Sequence, residues 1–380
     1  MNVPALDLKA QYAPLKDEVM PIVEQIFDSQ YFVGGPAVAE LESAIAEYSG
    51  TAGAVGVSSG TDALLVSLMV LGIGQDHPAC RTGQTCTGCD EVITTTFSFF
   101  ATPGSIWRAG ARPVFVDIDE TTFNIDPAQI EAAITENTRA IMPVHLYGQL
   151  ADMDAINAIA EKHDLQVIED AAQSIGARQN GKRAGSFGTT GCLSFYPSKN
   201  LGGAGDGGMV TAGDEEILEK LAWYRNHGMN PKYYHKYVGG NFRLDTIQAA
   251  FLLVKLQRLE DWHAARRRVA ARYDQLLADC PGVKTPVIAE GNESVFNQYV
   301  IRVAQRDALM EHLRANGVGC DIYYPLCLHE QECFADLGYQ RGQFPVAEAV
   351  ARDIIALPIY PELTDEQIDY VAATVKSFVS

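Results

Sequence analysis

From about residue 50 to residue 215, short apolar, β-rich runs alternate with stretches whose apolar positions recur at helical spacing. Each run ends in a glycine-rich or polar turn, which is the rhythm of βαβ units in a mostly parallel sheet. The strand candidates are residues 54–58, 91–95, 112–117, 140–146, 166–169, 191–195 and 208–211. Runs this short and apolar belong in a sheet covered on both faces. Between them, residues 61–72 and 153–163 have helical periodicity, the second opened by Asp152 as a cap. From about 245 to 278 the pattern predicts one long amphipathic helix, with Leu252, Leu256 and Leu259 on one face and Arg266, Arg267 and Arg268 further along. Beyond it, residues 296–303, 307–315 and 364–378 form a strand-then-helix pattern punctuated by Pro281, Pro325 and Pro358. The expected architecture is α/β: a large, mostly parallel-sheet domain over residues 1–255, N-terminal segment included, and a smaller C-terminal α+β domain over 256–380.

Composition adds exclusions. With 47% hydrophobic and 20% charged residues, the 380-residue chain reads as folded throughout. Its 29 Lys and Arg face 48 Asp and Glu, and a net charge of -19 repels phosphate backbones and anionic membrane surfaces. Neither nucleic acid nor membrane is expected as a partner, and an anionic small substrate needs a local cluster of donors. The apolar run at residues 63–73 is shorter than a membrane span, and the first ten residues lack a basic stretch followed by an apolar core, so the expected location is cytoplasmic. The eight cysteines, many in apolar contexts such as Cys192 and Cys320, read as reduced core thiols rather than a disulfide frame.

Four segments carry candidate chemistry. Ser58-Ser59-Gly60-Thr61-Asp62 follows a strand and opens a helix; it is either an ordinary capped start or an anion cradle of free N–H groups at a positive helix end. Val167-Ile168-Glu169-Asp170-Ala171-Ala172-Gln173 ends a buried strand in two carboxylates, at the strand edge where open α/β sheets bind ligands. The aspartate is either a helix cap or the partner of a protonated pyridine nitrogen. Ser194-Phe195-Tyr196-Pro197-Ser198-Lys199-Asn200-Leu201-Gly202 places one lysine between an apolar strand and a turn carrying Gly203, Gly205, Gly207 and Gly208. A partly buried amine there has a lowered pKa and is a nucleophile able to form a Schiff base. Gly239-Gly240-Asn241-Phe242-Arg243-Leu244-Asp245 is a turn rich in phosphate- and carboxylate-binding side chains.

Together and in this order the segments resemble the sugar aminotransferases of the DegT/DnrJ/EryC1/StrS family, which are fold-type I enzymes using pyridoxal 5'-phosphate. The likeness runs from Leu6-Asp7-Leu8 and Tyr31-Phe32-Val33-Gly34-Gly35-Pro36 to Leu357-Pro358-Ile359-Tyr360 and Leu363-Thr364. The resemblance implies that Lys199 forms the Schiff base and shuttles the proton, that Asp170 pairs with the pyridine nitrogen, and that Gln173 bonds the phenolic oxygen. It implies a phosphate site from Gly60, Thr61 and Ser194, with Asn241 reaching in from a second subunit of a homodimer. Phe99 matches the aromatic stacked on the ring, with Phe97 as the alternative. Arg225, His227, Arg243, Tyr324 and His329 match donor and sugar-nucleotide contacts, although each also has an ordinary structural reading. The implied reaction moves an amino group from L-glutamate to a nucleotide-linked keto-sugar. The segments Asn297-Gln298-Tyr299-Val300-Ile301-Arg302 and Tyr233-Tyr234-His235-Lys236 lean toward a 3-keto hexose or hexuronic acid, UDP-linked first and dTDP-linked next; the alternative is a 4-keto sugar. Of the rivals, a dehydratase of this fold replaces the lysine by histidine, and a non-catalytic relative lacks the lysine or the aspartate.

One stretch departs from the family. The link over residues 75–90 is long and spaces His77, Cys80, Cys86 and Cys89 as His-x2-Cys-x5-Cys-x2-Cys. That is either a tetrahedral zinc site or a surface insertion with free or paired thiols, and no metal ligand is assigned from it.

Overall fold

The computed structural model describes residues 1–74 and 88–379. The strands in the first part of the chain are β1 (Gly53–Val57), β2 (Glu91–Thr95), β3 (Arg112–Val116), β4 (Thr138–Met142), β5 (Gln166–Asp170), β6 (Arg178–Gln179), β7 (Lys182–Arg183), β8 (Thr190–Ser194) and β9 (Gly208–Ala212). Seven of them form one sheet in the order β1-β9-β8-β5-β4-β2-β3. The run from β3 to β8 is parallel throughout, and β9 runs antiparallel to both of its neighbours. The α/β expectation therefore holds, and the reversed β9 is what lets the chain return past the glycine-rich turn after Lys199. β5, β8 and β9 are buried along nearly their whole length because helices cover both faces.

Two sequence boundaries shift. The strand expected over 140–146 ends at Met142, because Pro143 has no N–H to continue the ladder and its carbonyl instead accepts the Asp170 N–H at 2.9 Å. The single helix expected over 245–278 is two helices, Thr246–Leu256 and Leu259–Leu277. Neither Gly nor Pro marks the break; Arg258 stands between the helices at φ -109° and ψ 0°, and its Nη1 donates to the Val254 carbonyl at 3.2 Å, serving a helix end.

Later strands are β10 (Val283–Lys284), β11 (Asn292–Glu293), β12 (Tyr299–Val303) and β13 (Ile354–Leu357). β10-β12-β13 form a second, antiparallel sheet, while β11 pairs back onto β6. Helices Leu259–Leu277, Arg306–Ala315 and Asp365–Val379 pack on that second sheet around Tyr273, Tyr299, Leu309, Leu313, Ile368 and Val371, and Val3 joins the same core. A separate cluster of Phe97, Phe115 and Tyr147 with Phe334, Val350 and Ala356 fastens the second sheet to the first. Cys192, Cys280, Cys320 and Cys327 are buried free thiols, as expected for core cysteines, and Cys333 is free but exposed; Cys89 departs from the expectation, because it is disulfide-bonded. His77, Cys80 and Cys86 lie outside the described residues; the fourth residue of the pattern, Cys89, is buried and disulfide-bonded, so it offers no thiolate to a metal. Among the described residues no helix is long and apolar enough to cross a membrane.

Candidate active site

The carboxyl ends of β5 and β8 bring the sequence's two strongest chemical residues to one edge of the sheet. Asp170 closes β5 and is buried. Its Oδ2 accepts the Thr102 hydroxyl at 2.7 Å and its Oδ1 accepts the Ala172 N–H at 3.3 Å. Burial pushes its carboxyl up, and the Thr102 hydroxyl, the Ala172 N–H and then the Lys199 charge pull against that. Thr102 has one proton to give, and the short contact to Asp170 claims it ahead of the Phe99 carbonyl at 3.3 Å. Ser98 Oγ sits 2.7 Å from Thr102 Oγ1 and 2.9 Å from the Phe99 carbonyl, so these hydroxyls tie the aspartate to the segment that carries Phe99.

The neighbouring Glu169 faces away, as alternation along a strand requires. It is fully buried, and its oxygens accept N–H groups from Gly185 at 2.8 Å, Phe187 at 2.7 Å and Gly188 at 2.7 Å, with His145 Nε2 at 2.9 Å. His145 Nδ1 accepts the Ala151 N–H at 3.3 Å, which leaves the proton of a neutral ring on Nε2. Two adjacent carboxylates thus do different jobs: Glu169 pins the 185–188 turn, and Asp170 faces a cavity.

Lys199 sits in a turn anchored on both sides. Phe195 and Leu201 are fully buried, the Lys199 N–H donates to the Tyr196 carbonyl at 2.8 Å, and the Gly203 N–H returns to the Phe195 carbonyl at 2.7 Å. Asn200 donates to the Val295 carbonyl at 2.9 Å and accepts from Asn297 at 2.8 Å, while Lys255 Nζ holds the Gly202 carbonyl at 2.5 Å. The Lys199 side chain is only half-buried by surface area because the cavity opens onto it. Protein atoms crowd it closely enough, however, that burial pushes its amine down to about 8, against the Asp170 charge that raises it.

Lys199 and Asp170 line the same cavity of about 380 Å³, together with Gly60, Thr61, Phe99, Gln173, Ser194 and Tyr324. One end is the start of helix Gly60–Val70, where Ser59 caps the Asp62 N–H at 3.0 Å and leaves the N–H groups of Gly60 and Thr61 to the cavity. Gly60 is demanded by contact: a Cβ there lies 2.6 Å from Ser194 Cβ, so only glycine lets the helix start lie against β8. At the other end Gln173 is oriented from two directions, its Oε1 accepting the Tyr147 N–H at 2.6 Å and its Nε2 donating to Tyr324 Oη at 3.1 Å. Phe99 is 57% exposed and offers its ring to the cavity beside Tyr324, whereas Phe97 is buried in the adjoining core, which separates the two aromatic alternatives.

Other candidates are not brought to this cavity within the chain. Arg225 is held by Glu42 and by the Gly56 carbonyl at 3.2 Å, and Arg243 donates to Asn226 at 2.8 Å. His227 and Asn241 are exposed on the 226–241 segment. His329 is a buried core histidine, bonded to Thr96 Oγ1 at 2.7 Å, 3.3 Å from Glu348 and packed on Phe344. Its place in the core rather than the cavity reflects the two partners supplied by distant segments, which no local pattern reveals. Sequence reasoning missed Thr102, His145 and the Asn200–Asn297 pair. The spacing from Thr96 to Thr102 was on view, but nothing in it pointed to Asp170, 68 residues away.

The comparisons with known proteins agree with this geometry. Residues 14–376 match the profile of the DegT/DnrJ/EryC1/StrS aminotransferase family, and the chain belongs to that family. Aminotransferases of the family work with pyridoxal phosphate. The chain is 50% identical over 380 residues to a protein of Geobacillus stearothermophilus named a pleiotropic regulatory protein, covering 100% of this chain and 99% of that one. It is 44% identical over 374 residues to the UDP-N-acetyl-3-dehydro-alpha-D-glucosamine 3-aminotransferase of Acidithiobacillus ferrooxidans, covering 98% and 97%. Among solved structures, S. venezuelae DesV in complex with a ketimine intermediate superposes with a TM-score of 0.94 at 40% identity, covering 100% and 99% of the two chains.

Proposed function

We propose that the chain transfers an amino group from L-glutamate to a nucleotide-linked 3-keto sugar, using pyridoxal phosphate held in the cavity between β5, β8 and the start of helix Gly60–Val70. The observation that carries the reading is that Lys199 and Asp170 line one cavity, the first with its amine brought down to about 8. The donor set fits the cofactor group by group. A positive helix end, closed against Ser194 at a glycine that admits no Cβ, suits a phosphate. A carboxylate suits a pyridine nitrogen, an amide a phenolic oxygen, an exposed ring a flat face, and a poised amine an aldehyde. When bound, pyridoxal phosphate supplies that aldehyde and a ring that delocalises electrons from the amine-bearing carbon.

The chain's own residues do the rest. Asp170, whose ionised form the Thr102 hydroxyl and the Ala172 N–H favour against its burial, would hold the proton on the ring nitrogen. Gln173, fixed by Tyr147 and Tyr324, turns its remaining N–H toward the phenolic oxygen. Gly60, Thr61 and the Ser194 hydroxyl bind phosphate. Lys199 Nζ would hold the cofactor through its aldehyde carbon and, when freed by a substrate amine, would carry a proton to and from the substrate carbon in each half of the reaction. The 3-keto choice draws on the Acidithiobacillus relative's name.

The same reading includes a cytoplasmic homodimer in which Asn241 of one chain completes the phosphate site of the other. It also divides the chain near residue 255, at the break between the two helices, into a large and a small domain. A regulatory role without catalysis is favoured by the name of the Geobacillus relative alone. The test is optical and chemical. The loaded protein should show a visible absorption band that glutamate removes and a 3-keto nucleotide sugar restores, with 15N from labelled glutamate in the product. If labelled nitrogen never reaches a sugar, the function falls.

A further inference from the structure

Gln173 and Lys199 line the same cavity, and a run of hydrogen bonds through a third segment ties one to the other. Gln173 Oε1 accepts the Tyr147 N–H at 2.6 Å, the Tyr147 carbonyl accepts the Asn297 N–H at 2.8 Å, and Asn297 Nδ2 donates to Asn200 Oδ1 at 2.8 Å, next to Lys199. The connection therefore passes through the stretch that enters β12, a strand of the second sheet. That stretch is itself held firmly. The Val295 N–H donates to the Gly148 carbonyl at 3.0 Å, Ser294 Oγ to the same carbonyl at 3.1 Å, and Arg266 Nη1 to the Phe296 carbonyl at 3.0 Å. Close approach is built in at Gly148, φ +100°, where a Cβ would lie 2.9 Å from the Phe296 and Asn297 nitrogens. Tyr147 beside it holds φ 58°, a left-handed geometry that a tyrosine rarely adopts.

The two amides can face only one way. Asn200 is 3% exposed and gives its Nδ2 to the Val295 carbonyl at 2.9 Å, so its Oδ1 needs a donor, which Asn297, 6% exposed, supplies. Asn297 Oδ1 is then buried without a hydrogen-bond partner among the described residues. An acceptor left dry in a core is a cost that an apolar side chain at 297 would avoid. The asparagine is explained by what its NH2 holds.

We propose that Asn297 is a positioning residue for Lys199: acting through Asn200, it sets the lysine turn in register with Gln173, so that the amine meets first the cofactor's aldehyde carbon and later the substrate carbon. Both roles rest on the part proposed above for Lys199, and only the second needs the amino-transfer reading. An amine acts on a carbon only from within reach, and an error of about 1 Å costs about a hundredfold in rate. Asn297 lies outside the residues that line the main cavity, so its loss alters where Lys199 stands rather than what the cavity binds.

The test sets two ligands against each other. Pyridoxal phosphate has an aldehyde for the amine to meet; pyridoxamine phosphate has none and needs only the rest of the cavity. Asn297→Ala should take up pyridoxal phosphate roughly tenfold more slowly than wild type, followed by the visible band, while its affinity for pyridoxamine phosphate in equilibrium dialysis stays within about twofold. On adding glutamate the variant's band should decay more slowly, with a larger isotope effect for glutamate deuterated at the α-carbon, because proton removal limits the step more fully. Asn200→Ala removes the same bond from the other side and should load as slowly, and the double variant should be no slower than Asn200→Ala alone. If one single variant does not fold, the other carries the comparison. Wild-type loading in a folded variant, or a loss of pyridoxamine phosphate affinity as large as the loss in loading rate, overturns the positioning role. A wild-type band that glutamate leaves untouched overturns the amino-transfer reading instead, and the loading comparison still decides Asn297.

Discussion

Replacing Thr102 by valine removes one hydroxyl proton from a buried carboxylate and leaves the volume almost unchanged. Thr102 is fully buried and its hydroxyl lies 2.7 Å from Asp170 Oδ2, a charge-assisted bond whose loss costs about 1.5–3 kcal/mol. That cost falls on the ionised form alone. Without that bond the aspartate's pKa moves further up, in the direction burial already pushes it. In the proposed role Asp170 is an anion opposite the ring nitrogen, and a raised pKa means the anion is lost at higher pH on acidification. The acid limb of kcat/KM against pH should therefore move to higher pH, while the plateau above it changes less. The loaded protein's visible absorption should titrate in step, which separates the effect from loss of fold. Thr102→Ser keeps the hydroxyl and should restore the wild-type limb. An unmoved limb in a folded Thr102→Val protein would refute the assignment of this proton to Asp170.

Other outcomes follow from the same geometry. With the Lys199 amine at about 8, roughly a tenth of it is free at pH 7; the rate of cofactor loading onto cofactor-free protein should climb near tenfold per pH unit up to about 8 and then flatten, and a rate that keeps climbing to pH 10 contradicts a lowered amine. Because burial disfavours the protonated amine, Lys199→Met should lose the visible band and all turnover yet melt higher than wild type in cofactor-free form at pH 6, with the difference shrinking above pH 8. Glu169→Gln turns an NH2 toward N–H donors that a carboxylate satisfied; urea unfolding should show a loss of about 3 kcal/mol, and an unchanged midpoint would mean the turn is held by other contacts. Gly60→Ala should weaken cofactor affinity about tenfold in equilibrium dialysis, a loss of about 1.4 kcal/mol, because the new methyl meets Ser194 Cβ.

Periodicity and punctuation were enough to place most strands of the main sheet within a few residues, because short apolar runs between turns have little choice but to pair and bury. Lys199 and Asp170 stood out for a related reason: Asp170 ends a buried strand and Lys199 sits in the turn after another, where charge is costly unless it works. What the chain pattern could not carry was which of two adjacent acids faces the cavity. Glu169 and Asp170 differ by one step of strand alternation, and that step has meaning only once the sheet's two faces are covered. Nor could it show the break at Arg258, which neither glycine nor proline marks.

By itself, then, the amino-acid sequence determined the strand and helix succession, the lysine and carboxylate chemistry, and the family, since these rest on local residue order. The tertiary structure decided the partners that make the chemistry work. Thr102 for Asp170, Tyr324 for Gln173, Asn297 for Asn200 and the core role of His329 join residues from 68 to 233 positions apart. Hydrogen bonds of that reach depend on where a packed core happens to bring the chain back, and no local spacing encodes it.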